Sequence, residues 1–439
     1  MVQEQSPRQG GKNASGQLSP AHFYLRMSAL FLLVLLVGMA GGVILGRETV
    51  STKAGEGGSF ADLDAVTDVL TENYYYRPTS PEEQTNFEST LEQQAISGML
   101  TSLNDDYTRY LLPVEAQIAS EELEGEYGGI GVTLQEVDGL VIVGRVGPDT
   151  PAAEAGVEAG DIVERIDNRP VAVVEGELNG FDLRGPVGST VDLTILQPAS
   201  EGPITVSIVR EAIIVHPVAW EQIEGTTYMR IAIDIFGDRT TQELDLALAE
   251  AEATGFTGIV LDLRGNGGGW VRSAQETIGR FLPEDAGPAL YEDTTPGPGN
   301  EEALPIINGE QGPTDLPLII LVDRNTASAA EIVAGSLRDY DRALIVGEES
   351  FGKGSVQRIF DFEDGASLRV TVAEWFTPSK GRIQDEGINP DVLLSTGGGT
   401  AVQAGDPFVT AAVAFLDQGK SRPTDLAKPA TQATPEAAP

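Results

Sequence analysis

The chain runs to 439 residues, with 67 acidic side chains against 28 basic ones and a formal net charge of −39. Nucleic acid is excluded as a partner, because phosphate binding needs a basic face. With no cysteine, thiol catalysis, disulfides and thiolate metal sites are excluded; of the two histidines, His22 precedes an apolar segment that reads as separating it from His216 across a membrane, which excludes a two-histidine metal centre, and no cofactor is expected.

Residues 1–26 carry Arg8, Lys12 and Arg26 against Glu4, a balance that keeps this end in the cytoplasm. Residues 27–46 are free of charge and long enough to cross a hydrocarbon core of ~30 Å as a helix. They read as a single-pass anchor in the cell membrane. The alternative is a signal peptide cleaved near Gly38-Met39-Ala40, which would release a secreted protein. On both readings the body of the chain is extracytoplasmic. Residues 47–59 read as a flexible linker.

Residues 60–124 have a helical pattern: Leu63, Val66, Val69 and Leu70 recur at helical spacing, as do Leu91, Ile96, Met99, Leu100 and Leu103. From 125 to 215, short β-rich runs are separated by Gly, Pro and Asp turns, with one small helix at 152–155. Between 216 and 396 strands alternate with helices, which implies an α/β core with a largely parallel sheet. Functional groups gather at the carboxyl ends of such strands, and the loops 264–269, 323–328 and 348–354 lie there. Residues 397–439 form a C-terminal extension whose Pro-, Ala- and Thr-rich end reads as a disordered tail.

Each of the three loops has an ordinary reading. Ser328 opens a helix and, with Glu331, fits the S-x-x-E capping box. The same position suits a nucleophile, since free N–H groups at a helix start stabilise an oxyanion. Lys353, between Gly352 and Gly354, is either an exposed loop lysine or a buried amine. A phosphate loop is rejected, because Gly354 stands where the magnesium-holding Ser/Thr must be. The turn RGNGGG at 264–269 fails as a dinucleotide fingerprint at Trp270 and as a trypsin-like nucleophile turn at Gly267. What is left is a bare run of backbone amides, suited to an oxyanion hole or simply to a tight turn. A hydroxyl, an amine and bare amides on neighbouring strand ends, with histidine scarce, fit serine–lysine catalysis.

NTASAAEI at 325–332, SFGKGSVQ at 350–357, LDLRGNGGG at 261–269, GINPDV at 387–392 and NDDYTRYL at 104–111 resemble the C-terminal processing peptidases (tail-specific proteases of peptidase family S41). The resemblance covers 60 to about 394 and implies a multidomain α/β protein. Its parts would be a ClpP/crotonase-like serine-protease core at 216–396, an inserted PDZ domain at 125–215 and an N-terminal helical segment at 60–124. Carried over residue by residue, it implies Ser328 as nucleophile, Lys353 as base and Gln357 as the group orienting the lysine, with Gly268 and Ala329 N–H groups as the oxyanion hole. Gly268 is preferred over Gly267. Gly128, Gly129, Ile130 and Gly131 match the PDZ carboxylate-binding loop. Ile130 and Val132 imply an apolar pocket, hence protein or peptide substrates with apolar C-termini. The resemblance also implies a homo-oligomer contacting through 60–124. The rival function is a catalytically silent PDZ adaptor.

Overall fold

A computed structural model describes residues 47–49, 61–137, 139–171, 173–174, 177–178, 183–198, 200, 202–295, 299–394 and 406–426. The apolar segment 27–46 lies outside them. Among the described residues no helix is long and apolar enough to cross a membrane. Of the linker read at 47–59, only a short strand β1 (Arg47–Thr49) is described, parallel to Ile359–Asp361.

The helical pattern of the next segment resolves into α1 (Ala61–Asn73) and α2 (Pro81–Thr101). Ser80 caps α2 by accepting the Glu83 N–H, and Pro81 occupies the first turn, where its missing donor costs nothing. Of the apolar residues that set the period, Leu63, Val66, Val69, Met99 and Leu103 are exposed, while Leu70, Leu91, Ile96 and Leu100 are half-buried. Helix then gives way to strand. Asn104 turns with φ +51, and β2 (Arg109–Leu111) pairs antiparallel with a later strand at Ser367–Arg369. The helical pattern read over 60–124 is interrupted here by this short strand, where the polar turn NDD precedes an aromatic and β-branched run. α3 (Pro113–Glu124) follows and ends at Gly125.

β3 (Glu126–Gly129) and β9 (Glu211–Ile214) run antiparallel as a two-stranded ribbon. Most of the described residues between them form one antiparallel sheet with a helix, and Val173–Val174 pairs with Glu177–Leu178 as a separate short ribbon. The sheet contains β4 (Val132–Val137), β5 (Leu140–Val146), β6 (Ile162–Ile166), β7 (Thr190–Leu196) and β8 (Ile204–Val209), in the order β8-β7-β6-β5-β4. The one-turn helix α4 (Pro151–Glu154) connects β5 to β6. Alternating residues Val191, Leu193 and Ile195 of β7 point into a core with Val143, Val163 and Ile166.

The third part is a second sheet in the order β10-β11-β12-β15-β16-β19: β10 (Val218–Gln222), β11 (Tyr228–Ile233), β12 (Gly258–Asp262), β15 (Leu318–Val322), β16 (Leu344–Gly347) and β19 (Val392–Leu393). Beyond the antiparallel β10–β11 pair it is parallel. β12 and β15 are buried at every residue because both faces are covered. Ile259 and Leu261 pack in one core with α5 (Thr240–Thr254), α6 (Val271–Ile278) and α7 (Ala329–Asp339). Val260 packs in another with α8 (Pro407–Asp417). A further sheet joins β1, β17 (Ser355–Asp361), β18 (Ser367–Phe376), β13 (Pro288–Asp293) and β14 (Glu302–Pro305), and β2 lies along β18. The loops leaving β12, β15 and β16 therefore emerge together at one sheet end, with β17 beginning just beyond them.

Candidate active site

Ser328 stands at the mouth of α7 with φ 56 and ψ −120, a conformation strained for any residue with a Cβ. The capping reading of its side chain fails. Its Oγ is fully buried and has no hydrogen-bond partner, while the Glu331 N–H donates to the Ser328 carbonyl. The hydroxyl is therefore left for other use, and the cap is made by Glu331 instead.

Glu331 is the residue that sequence reasoning undervalued. Its carboxylate is fully buried and accepts four hydrogen bonds. Ser328 N–H (2.7 Å) and Lys353 N–H (2.9 Å) meet Oε2; Ser350 Oγ (2.6 Å) and Gly352 N–H (2.7 Å) meet Oε1. Burial raises its pKa, and the four donors pull it back. One carboxylate thus ties the serine loop to the lysine loop. The only sequence signal was the i+3 spacing from Ser328, which reads as a cap.

Lys353 is 1% exposed. Burial lowers its pKa from 10.5 to about 7; the neighbouring Arg369 and Arg109 push the same way, and Glu331 and Asp105 oppose them. Its amine lies 5.0 Å from the ring centre of Tyr107. Gln357, fully buried on β17, donates through Nε2 to Ser355 Oγ (2.9 Å) and Thr371 Oγ1 (3.2 Å), and its Oε1 has no partner. The structure does not bond Gln357 to Lys353, nor Lys353 to the Ser328 hydroxyl. The i, i+4 argument for a shared strand face does not apply either. Lys353 precedes β17, and the register of β17 slips between Val356 and Gln357.

The glycine turn does meet the serine. A Cβ built on Gly268, at φ +108, would lie 2.6 Å from Ser328 Cβ and 3.0 Å from both its Oγ and the Ala329 nitrogen. The preferred oxyanion donor is nevertheless occupied: Gly268 N–H donates to Asn266 Oδ1 at 2.8 Å. Asn266 is itself fixed, its Nδ2 donating to the Ile233 carbonyl at 2.7 Å. No acceptor among the described residues takes the N–H of Ala329. His216 offers no rival base, since its Nδ1 pairs with Glu243 on α5 at 2.8 Å.

In the two-stranded ribbon, Gly128 lies on β3 against Gly185, whose carbonyl leaves no room for a Cβ, and just beyond it Gly131 packs against Thr150. Ile130 is a core residue packed with Val143 and Ala152, so it does not line an open pocket. The apolar pocket expected from it is corrected accordingly: its side chain is spent on the domain core. Gly129 sits opposite Glu211 in the ribbon. No backbone acceptor among the described residues takes the N–H of Ile130 or Gly131. The loop therefore keeps two donors beside β4, the edge strand of the sheet among the described residues. Among the described residues no cluster of acids and histidines could hold a metal.

Comparison with known proteins gives two family matches: residues 227–394 match the model described as peptidase family S41, and 128–208 match the PDZ domain. A carboxy-terminal-processing protease of Bartonella bacilliformis is 33% identical over 364 residues, 82% of this chain and 80% of the relative. A carboxyl-terminal-processing protease of Picosynechococcus sp. is 35% identical over 309 residues, 69% of this chain and 72% of the relative. Among solved structures, the photosystem II D1 C-terminal processing protease is similar, with 26% identity, a TM-score of 0.42, and coverage of 82% of this chain and 92% of that one.

Proposed function

Because the chain belongs to peptidase family S41 and is a serine endopeptidase with a PDZ domain, we propose that it cleaves C-terminal regions of exported proteins by a Ser328–Lys353 mechanism. The observation that carries this reading is the Glu331 carboxylate, which holds the Ser328 and Lys353 loops on one pair of oxygens while burial keeps the lysine amine near neutral pKa.

Neutral Lys353 accepts the Ser328 proton as Oγ attacks the peptide carbonyl, and the resulting ammonium protonates the departing amine. Water then cleaves the ester, deprotonated by the same lysine. The oxyanion sits at the start of α7, against the Ala329 N–H, with Gly268 N–H joining once it leaves Asn266 Oδ1. Gln357 Oε1, unpaired at rest, is the acceptor for the lysine amine once that amine swings to the serine. The Ile130 and Gly131 N–H groups bind the substrate's terminal carboxylate as its tail adds to β4.

A fluorophosphonate probe that labels the wild-type protein, but neither Ser328→Ala nor Lys353→Arg, supports this assignment; guanidinium cannot give up its proton. Substantial labelling of Lys353→Arg removes the lysine from the role of base. Amidating a substrate's C-terminus should raise KM, and indifference to amidation removes the PDZ tether. The uncharged apolar segment 27–46 supports an extracytoplasmic peptidase, and protease accessibility in spheroplasts tests that side. The exposed Leu63, Val66 and Val69 of α1 and Met99 of α2 support self-association, which sedimentation of the full chain reads directly.

A further inference from the structure

We propose that the segment 105–109, far from the catalytic loops in sequence, is part of the active centre, and that the Tyr107 ring is a lid that keeps water off the Lys353 amine. Tyr107 is a positioning residue: it acts on the reaction through the lysine. The proposal rests on the reading of Lys353 as base.

The segment is stitched to the catalytic sheet at several points. Asp105 Oδ1 accepts the Tyr107 N–H at 2.9 Å, and its Oδ2 accepts the Thr108 hydroxyl at 2.6 Å. The buried Thr108 Oγ1 in turn accepts the Thr371 N–H at 3.1 Å, and Thr371 Oγ1 accepts from Gln357. Arg109 then pairs with Arg369 in the β2–β18 ladder. These bonds set the ring 5.0 Å from the amine. On its other side, the Tyr107 hydroxyl lies beside Gln384, whose Oε1 accepts the Gly354 N–H at 3.0 Å. The ring therefore stands between the lysine loop and the turn that braces it.

Two effects of the ring oppose each other. Its π face favours the ammonium, and its bulk excludes the water that would favour the ammonium more. Burial is the largest influence on Lys353, and a ring 5.0 Å from the amine is part of that cover, so the lid requires cover to be the stronger of the two effects. The charged groups facing the amine are Arg369 on β18, Arg109 and Asp105 on the segment, and Glu331 on α7; Asp385 and Asp106 face the tyrosine. None of them changes when the ring alone is removed.

The test is the rate of fluorophosphonate labelling of the full chain between about pH 5.5 and 9.5, a span bracketing the titration of a lysine so shifted. Tyr107→Ala should move the midpoint of the acidic limb up by about one unit, lowering the rate at pH 7 about fivefold. Tyr107→Phe, with the same cover, should keep the wild-type midpoint. Thr108→Val, nearly isosteric, loosens the same segment and should shift the midpoint in the same direction, which covers the case of Tyr107→Ala failing to fold. Unmoved midpoints in the folded members of this pair overturn the lid. Lys353→Ala separates the two ideas. If it keeps the wild-type rate and profile, the base assignment falls. If it is inert while Tyr107→Ala and Thr108→Val keep the wild-type midpoint, only the lid falls.

Discussion

Replacing Lys353 by Met is expected to abolish peptidase activity and, at the same time, to stabilise the fold. The side chain is 1% exposed, and burial beside Arg369 and Arg109 holds its amine at about 7 instead of 10.5. That gap corresponds to about 5 kcal/mol at ~1.4 kcal/mol per decade, nearly all of it acting against the folded state at neutral pH. Met has similar length and no charge, so about 2–4 kcal/mol should return as stability, as when buried ions give way to apolar side chains. Between pH 7 and 10.5 the unfolded chain holds a proton on this lysine that the folded chain has lost, so wild-type stability climbs across that window. The variant lacks the climb. Its advantage should be full at and below pH 7 and fade towards pH 10.5. Urea unfolding followed by tryptophan fluorescence isolates the relevant part, because Trp220, Trp270 and Trp375 all lie between 216 and 396. A gain of about 2 kcal/mol moves the midpoint by about 1 M at a slope of ~2 kcal/mol/M. A variant no more stable than wild type at pH 7, or an advantage that persists undiminished at high pH, would refute the buried neutral amine.

Ser328→Gly should be inactive yet about 1 kcal/mol more stable than Ser328→Ala, because φ 56 with ψ −120 suits only glycine; equal unfolding midpoints would show that the site is unstrained. Glu331→Gln turns one acceptor oxygen into a donor facing N–H or O–H groups. We expect kcat to fall about a hundredfold and stability by about 2–3 kcal/mol, and near-wild-type kcat would deny that this carboxylate aligns the loops. Gly268→Ala should lose both labelling and activity, since its Cβ would lie 2.6 Å from Ser328 Cβ; a fully labelled variant would separate the turn from the nucleophile.

The α/β plan was legible because β12 and β15 are covered on both faces and read as unbroken apolar runs closed by loop residues. The helices of 61–101 were legible from their period, but the period could not say that Val66 and Val69 stay exposed. Ser328 and Lys353 could be picked out because glycine and small residues mark their loops. Glu331 and Tyr107 could not, because their roles arise only when four loops converge, and locally they look like a cap and a turn aromatic. Gly268 and Gln357 show a different limit. Their neighbourhoods follow from the chain, but whether an amide faces substrate or Asn266, or an oxygen faces Lys353, is decided by a side-chain rotamer and a strand irregularity. Ile130 was misread because a loop residue buried in a core and a pocket wall have the same apolar signature.

The ribbon of β3 and β9 brings the two ends of the intervening chain to adjacent positions, with Glu126 opposite Ile214 and Gly129 opposite Glu211. Whatever lies between those ends is closed at its base before it meets the peptidase, and lengthening a loop so closed costs little, since closure entropy grows only logarithmically. The recognition module is thus a cassette: it can be exchanged, enlarged or shortened without re-threading the sheet whose loops carry Ser328 and Lys353. Tail specificity and bond-breaking chemistry can then diverge separately within one chain, and a chimaera joined through the ribbon residues would inherit its recognition from one parent and its chemistry from the other.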